Sequence, residues 1–154
     1  MLQLTRNWLE SAPWEAVVTR NQELCKAKEL ASALRDGAGG KVRQTWEDSL
    51  TRRMALEDAL DLCRRSQEAM PFSFNNANTF AAVGRSLIEG YLACLSPAEA
   101  QIVRTTVGHY IAGTVGRREL VQVLRHFAIR LSAQPSLPAS VPAATLVGSQ
   151  LRAS

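Results

Sequence analysis

The residues whose types and spacing best suit chemistry lie in one short run, Gly113-Thr114-Val115-Gly116-Arg117-Arg118-Glu119. A turn flanked by glycines gives way there to a helix, so Arg117 and Arg118 fall in a first turn, where the helix dipole is positive. Each cation so placed costs roughly 0.3–1 kcal/mol. Backbone N–H groups left free at a helix start, joined by two guanidinium forks, suit a phosphate or a carboxylate. Arg118, Gln122 and Arg125 share one face of that helix, in the manner of a recognition helix that reaches phosphates and base edges. Arg104 and Arg130 would add phosphate contacts. The plainer explanation is that Glu119 offsets part of the charge and that exposed arginines are tolerated.

A second candidate is the loop Pro71-Phe72-Ser73-Phe74-Asn75-Asn76-Ala77-Asn78. Phe72 and Phe74 on such a loop either anchor a partner in a pocket or tuck under their own domain as a plug. The plug is the commoner use.

Catalysis has less support. His109 and His126 are the only histidines, and no Cys-x-x-Cys or His-x-x-x-His spacing exists to hold a metal. A nucleophile elbow, a phosphate loop and a dinucleotide fingerprint are all missing from the sequence. The carboxylates Glu57, Asp58 and Asp61 are surrounded by arginines and read as a solvated, ion-paired face. No catalytic residue, metal ligand or cofactor is therefore expected, and an enzyme is the least expected of the function classes. The three cysteines, Cys25, Cys63 and Cys94, are widely spaced in apolar surroundings. They read as buried thiols of a reducing, cytoplasmic environment. The N-terminal residues lack a signal-peptide pattern, and no apolar run approaches a membrane span, so no membrane partner is expected.

Positioning these residues falls to helices. Steps of three and four between apolar residues predict an all-α single bundle of five to six helices over residues 1–132. A short helix covers Leu2 to Glu10. A second starts at Pro13 with a stripe of Trp14, Val17, Val18, Leu24, Ala27, Leu30, Ala31 and Leu34, and stops at Asp36-Gly37. A third runs unbroken from Lys41 to about Met70. The second and third form a long antiparallel hairpin closed by the turn Gly37–Gly40, and Trp8, Trp14 and Trp46 cluster where the first three helices meet. A fourth helix, Thr79 to Leu95, is capped by Asn76 or Asn78. Its small residues, among them Gly84 and Gly90, let another backbone come close, which makes it central. Ser96-Pro97-Ala98-Glu99 is a capping box with proline at the first helical position, opening a fifth helix that ends at Ala112. The sixth runs from Arg117 to Leu131. Residues 133–154, rich in Pro, Ala and Ser, read as a disordered tail.

Charge supports two functions unequally. Residues 1–70 carry eleven basic and eleven acidic side chains, whereas residues 71–154 carry seven arginines against Glu89, Glu99 and Glu119. The net +4 is nevertheless modest for a nucleic-acid binder. The expected function is a non-enzymatic protein–protein interaction module, an adaptor, chaperone or assembly subunit, whose partner is another protein or a second copy in a homodimer. The alternative is a nucleic-acid-binding regulator or ribonucleoprotein subunit that contacts phosphates through arginines of the last helices.

Overall fold

The computed structural model describes residues 5–127; the expected tail over 133–154, Arg130 and the end of the sixth helix lie outside them. Among the described residues there are six α-helices: α1 (Trp14–Ala27), α2 (Ala38–Ser49), α3 (Leu56–Glu68), α4 (Asn76–Ile88), α5 (Pro97–Ala112) and α6 (Arg117–His126). Two-residue strands β1 (Thr5–Arg6) and β2 (Met54–Ala55) pair antiparallel, with Thr5 opposite Ala55 and Arg6 opposite Met54. Short 3-10 helices cover Trp8–Ser11 and Glu89–Cys94. The all-α class holds, with this one small ladder added.

α4 is central. It packs on α1, α3 and α5, and α6 rests on α5. The close approach depends on Gly84, because a Cβ there would collide with the Ile111 side chain of α5. The capping box of α5 forms as expected: Glu99 N–H donates to Ser96 Oγ at 3.2 Å and Ser96 N–H donates to Glu99 Oε1 at 3.0 Å. At the other end of α5, Gly113 takes the left-handed conformation, φ +92°, and turns the chain into α6. Four aromatic rings form the centre of the core. Trp14 stacks on Phe72 with centroids 5.8 Å apart, Phe72 meets Phe80, Phe80 meets Trp46, and Trp46 returns edge-on to Trp14. Trp8 does not join them; it packs on Tyr91, 5.5 Å away.

The first helical half departs from expectation in four places. Residues 5–11 form β1 and a 3-10 turn in place of a helix. α1 stops at Ala27, because Glu29 adopts φ +58° and the chain closes a Schellman motif, with Glu29 N–H to Lys26 O and Leu30 N–H to Cys25 O. The third expected helix is broken into α2 and α3. At the break the Ser49 hydroxyl donates to Thr45 O at 2.9 Å, the last turn tightens to i→i+3 bonds, and Met54–Ala55 pairs with β1. The long hairpin is therefore not formed as expected: α1 and α2 are shorter and are separated by residues 28–37. Of the glycine turn, only Gly37 turns, at φ +76°; Ala38, Gly39 and Gly40 already belong to α2.

α4 also starts and ends earlier than expected. Its N-cap is Asn75, with no side-chain cap bond. Asn76 closes a ring onto the loop instead: Phe72 N–H donates to Asn76 Oδ1 at 2.9 Å and Asn76 Nδ2 donates to Phe72 O at 2.8 Å. The helix gives way after Ile88 to the 3-10 turn over Glu89–Cys94.

Candidate functional site

Because α1 ends early, residues 28–37 run back along the loop that follows α3. Ser73 N–H donates to Ala33 O at 2.9 Å and Arg35 N–H to Pro71 O at 2.7 Å, which sets Leu34 opposite Phe72 as an antiparallel bridge. The Arg35 guanidinium adds a bond to Met70 O, and Lys28 Nζ reaches Asn75 Oδ1 at 3.0 Å. One buried side chain ties both segments to the core. Asn21, on α1, donates from Nδ2 to Phe74 O at 2.8 Å and to Thr79 Oγ1 at 3.0 Å, and its Oδ1 accepts from Ser32 Oγ at 2.7 Å.

This arrangement separates the two loop phenylalanines. Phe72 is 1 % exposed and belongs to the aromatic core, so it is a plug and offers no anchor to a partner. Phe74 is 44 % exposed. The same pairing leaves Leu30, Leu34 and Met70 exposed, although the stripe of an unbroken second helix would have buried the two leucines. Four of the five large apolar side chains exposed among the described residues thus lie on these two bridged segments; the fifth is Ile102. Leu34 also lines a cleft of about 430 Å³, together with Trp14, Val18 and Phe72 and the polar Glu15, Gln22 and Arg43.

The arginines expected to meet phosphate are brought together only in part. Arg104 is engaged by Glu89 through two bonds, Nε to Oε1 at 3.2 Å and Nη2 to Oε2 at 2.6 Å, and this contact holds the Glu89 carboxyl below its usual range. Arg117 reaches across to Asp58 Oδ1 at 3.3 Å, so its unfavourable place in a first turn is offset by an ion pair on α3. Arg118, Gln122 and Arg125 are exposed along α6 and carry no ion pair among the described residues. Gly116 caps that helix without a side-chain bond.

The carboxylates of α3 do three different things. Asp58 is exposed. Asp61 accepts from the Tyr110 hydroxyl at 2.7 Å and from Arg65 Nε at 2.9 Å. Partial burial would raise its pKa, but the Tyr110 and Arg65 bonds together hold it below the usual aspartate range. Burial and the same Asp61 contact push the Tyr110 hydroxyl up, while Arg64 lies 4.8 Å over its ring. Glu57 departs from the solvated face expected of it: it is 2 % exposed, and its Oε1 has no hydrogen-bond partner. Next to Asp58 and Asp61, an open cleft of about 590 Å³ is lined by Arg52, Arg53 and Arg65. This cluster has a sequence signature that the unbroken-helix reading passes over. Arg52-Arg53 follow the end of α2, and Glu57-Asp58 fall in the first turn of α3, each on the side that the helix dipole favours.

Cys25 and Cys63 are buried thiols, Cys94 is half-buried, and burial pushes Cys63 up to about 12. Among the described residues no three His, Cys, Asp or Glu side chains gather as a metal set, and no helix is long and apolar enough to cross a membrane. Comparison with protein-family models, with curated proteins and with solved structures finds no match to this chain.

Proposed function

We propose that this protein is a non-enzymatic, helical protein–protein interaction module, an adaptor or assembly subunit, acting through the apolar face of residues 28–37 and 70–75. A second copy of the chain is its first partner, giving a homodimer, and its place is the cytoplasm. The observation that carries the reading is that Leu30, Leu34, Met70 and Phe74 are exposed on two bridged segments, next to a cleft of mixed lining that Leu34 shares with Trp14 and Phe72. Contiguous exposed apolar groups held on an ordered support mark association surfaces. The support here is ordered by Asn21 and by backbone pairing, so association would carry little ordering cost. Light scattering on the parent and on a Leu34→Glu/Phe74→Glu variant tests it: the parent associates and the variant does not.

A second reading, nucleic-acid binding, draws on Arg118, Gln122 and Arg125 alone, which stand exposed along α6. Arg104 and Arg117 weigh against it, since each already has a carboxylate partner. The same light-scattering experiment with mixed-sequence DNA separates the two readings. A complex that forms at low salt, dissolves at moderate salt and is lost in Arg118→Glu/Arg125→Glu would favour phosphate contacts.

A further inference from the structure

Four arginines are half-buried among the described residues: Arg6, Arg64, Arg85 and Arg104. Three of them have partners. Arg6 lies over the rings of Trp8 and Tyr91, Arg64 pairs with Glu68 and stands over Tyr110, and Arg104 is held by Glu89. Arg85 alone has, among the described residues, no carboxylate, carbonyl or ring that meets its charge. Taking a guanidinium partly out of water with no counter-charge is unfavourable, and the usual resolution is an anion.

The surroundings of Arg85 suit one. It lies in a groove of about 350 Å³ between α4 and α5, at the lower end of the range of small-molecule sites. Its guanidinium rests against Gly108, where a Cβ would stand 2.7 Å from Nη1. Donors of three kinds share the groove with it: the Asn78 amide, the Thr105 hydroxyl and the His109 ring. Arg104 also lines it, with its charge already met by Glu89. Ala77, Ala81 and Ala112 add apolar lining for the rest of a ligand.

We propose that this groove binds a small organic anion, whose phosphate or carboxylate oxygens pair with the fork of Arg85 while its apolar part lies on the alanines. The site shares no lining residue with the cleft that Leu34 lines, so it stands or falls separately from the association face.

The test is a titration of the full chain with inorganic phosphate and, separately, with acetate, read on the arginine Nε–Hε resonances by NMR. A saturable shift of the Arg85 signal with either probe supports the site, and the probe that saturates first names the oxygen group. Arg85→Gln, read on the Arg104 signal in the same groove, should weaken binding at least tenfold, and Lys26→Gln, which removes an exposed cation on α1 far from any binding role, should leave it unchanged. If Arg85→Gln fails to fold by circular dichroism, Gly108→Ala takes its place. It keeps the charge, displaces the guanidinium and should also weaken binding. The proposal is overturned if neither probe shifts Arg85 saturably, if the Arg85 or Gly108 change leaves binding intact, or if Lys26→Gln weakens binding as much as they do.

Discussion

The most informative side chain is Asn21. An asparagine in the middle of a helical stripe has a weak sequence signal, since its spacing suits the core and its chemistry suits the surface. Fully buried, it bonds Phe74 O, Thr79 and Ser32 at once, and so determines where the apolar face sits. Leucine in its place would fill similar space and leave the buried Thr79 hydroxyl and the partly buried Phe74 O and Ser32 hydroxyl short of a partner. Asn21→Leu should therefore lower unfolding stability by about 2–4 kcal/mol, measured by urea denaturation. It should also loosen residues 30–35 toward hydrogen exchange before the rest of the chain. Phe72 and Phe74 show the limit of reading single residues. Both are phenylalanines on one loop, and only the Leu34–Phe72 bridge decides that the first points inward.

At the scale of elements, local signals were legible where they did not compete. Ser96 to Glu99 is a capping box by type and spacing, and it forms; Gly113 ends α5, and Arg117 opens α6. The small residues of α4 correctly mark it as the centre, with Gly84 against Ile111 as the point of contact. The signals failed where tertiary pairing overrode helix propensity. Lys26-Ala27-Lys28-Glu29-Leu30 is made of good helix formers, yet α1 stops because pairing with the 71–73 loop and the Asn21–Ser32 bond draw residues 30–35 away. The stop leaves Glu29 at φ +58°, a conformation that costs a non-glycine residue about 1 kcal/mol. Glu29→Gly should thus stabilise the protein by about 0.5–1 kcal/mol in the same denaturation assay, with the helix end unmoved.

The ties between elements are also open to titration. Asp61 on α3 holds Tyr110 on α5, and its pKa is lowered in the folded chain. A carboxylate lowered by folding contributes stability in full above the ordinary aspartate range, near about 4, and loses it as pH falls through the lowered value. The parent should lose stability over that acidic window, and Asp61→Asn should flatten the loss, as read from denaturation midpoints between mildly acidic and strongly acidic buffer.

For the whole molecule, the helical class could be read from periodicity and the centrality of α4 from its small residues, whereas the exposed apolar side chains of residues 28–37 and 70–75 could not. They are exposed because a helix ends where its composition says it should continue, which leaves Leu30 and Leu34 on a segment bridged to the one that carries Met70 and Phe74. Patterning assigns those leucines to a core, and only the folded chain shows that they are uncovered. The charge reading fared similarly: the arginine excess of the second half is real, but Arg104 and Arg117 are drawn into ion pairs with Glu89 and Asp58.

The central claim is that the uncovered face is covered by a second copy. The most direct test is the mass in solution by light scattering across a range of concentrations, for the parent, for Leu34→Glu/Phe74→Glu and for Ile102→Glu. Twice the monomer mass is expected for the parent and for Ile102→Glu, whose exposed side chain belongs to α5 and not to the two bridged segments, and the monomer mass for the double variant. A parent that stays monomeric throughout, or a double variant that remains a dimer, would contradict it.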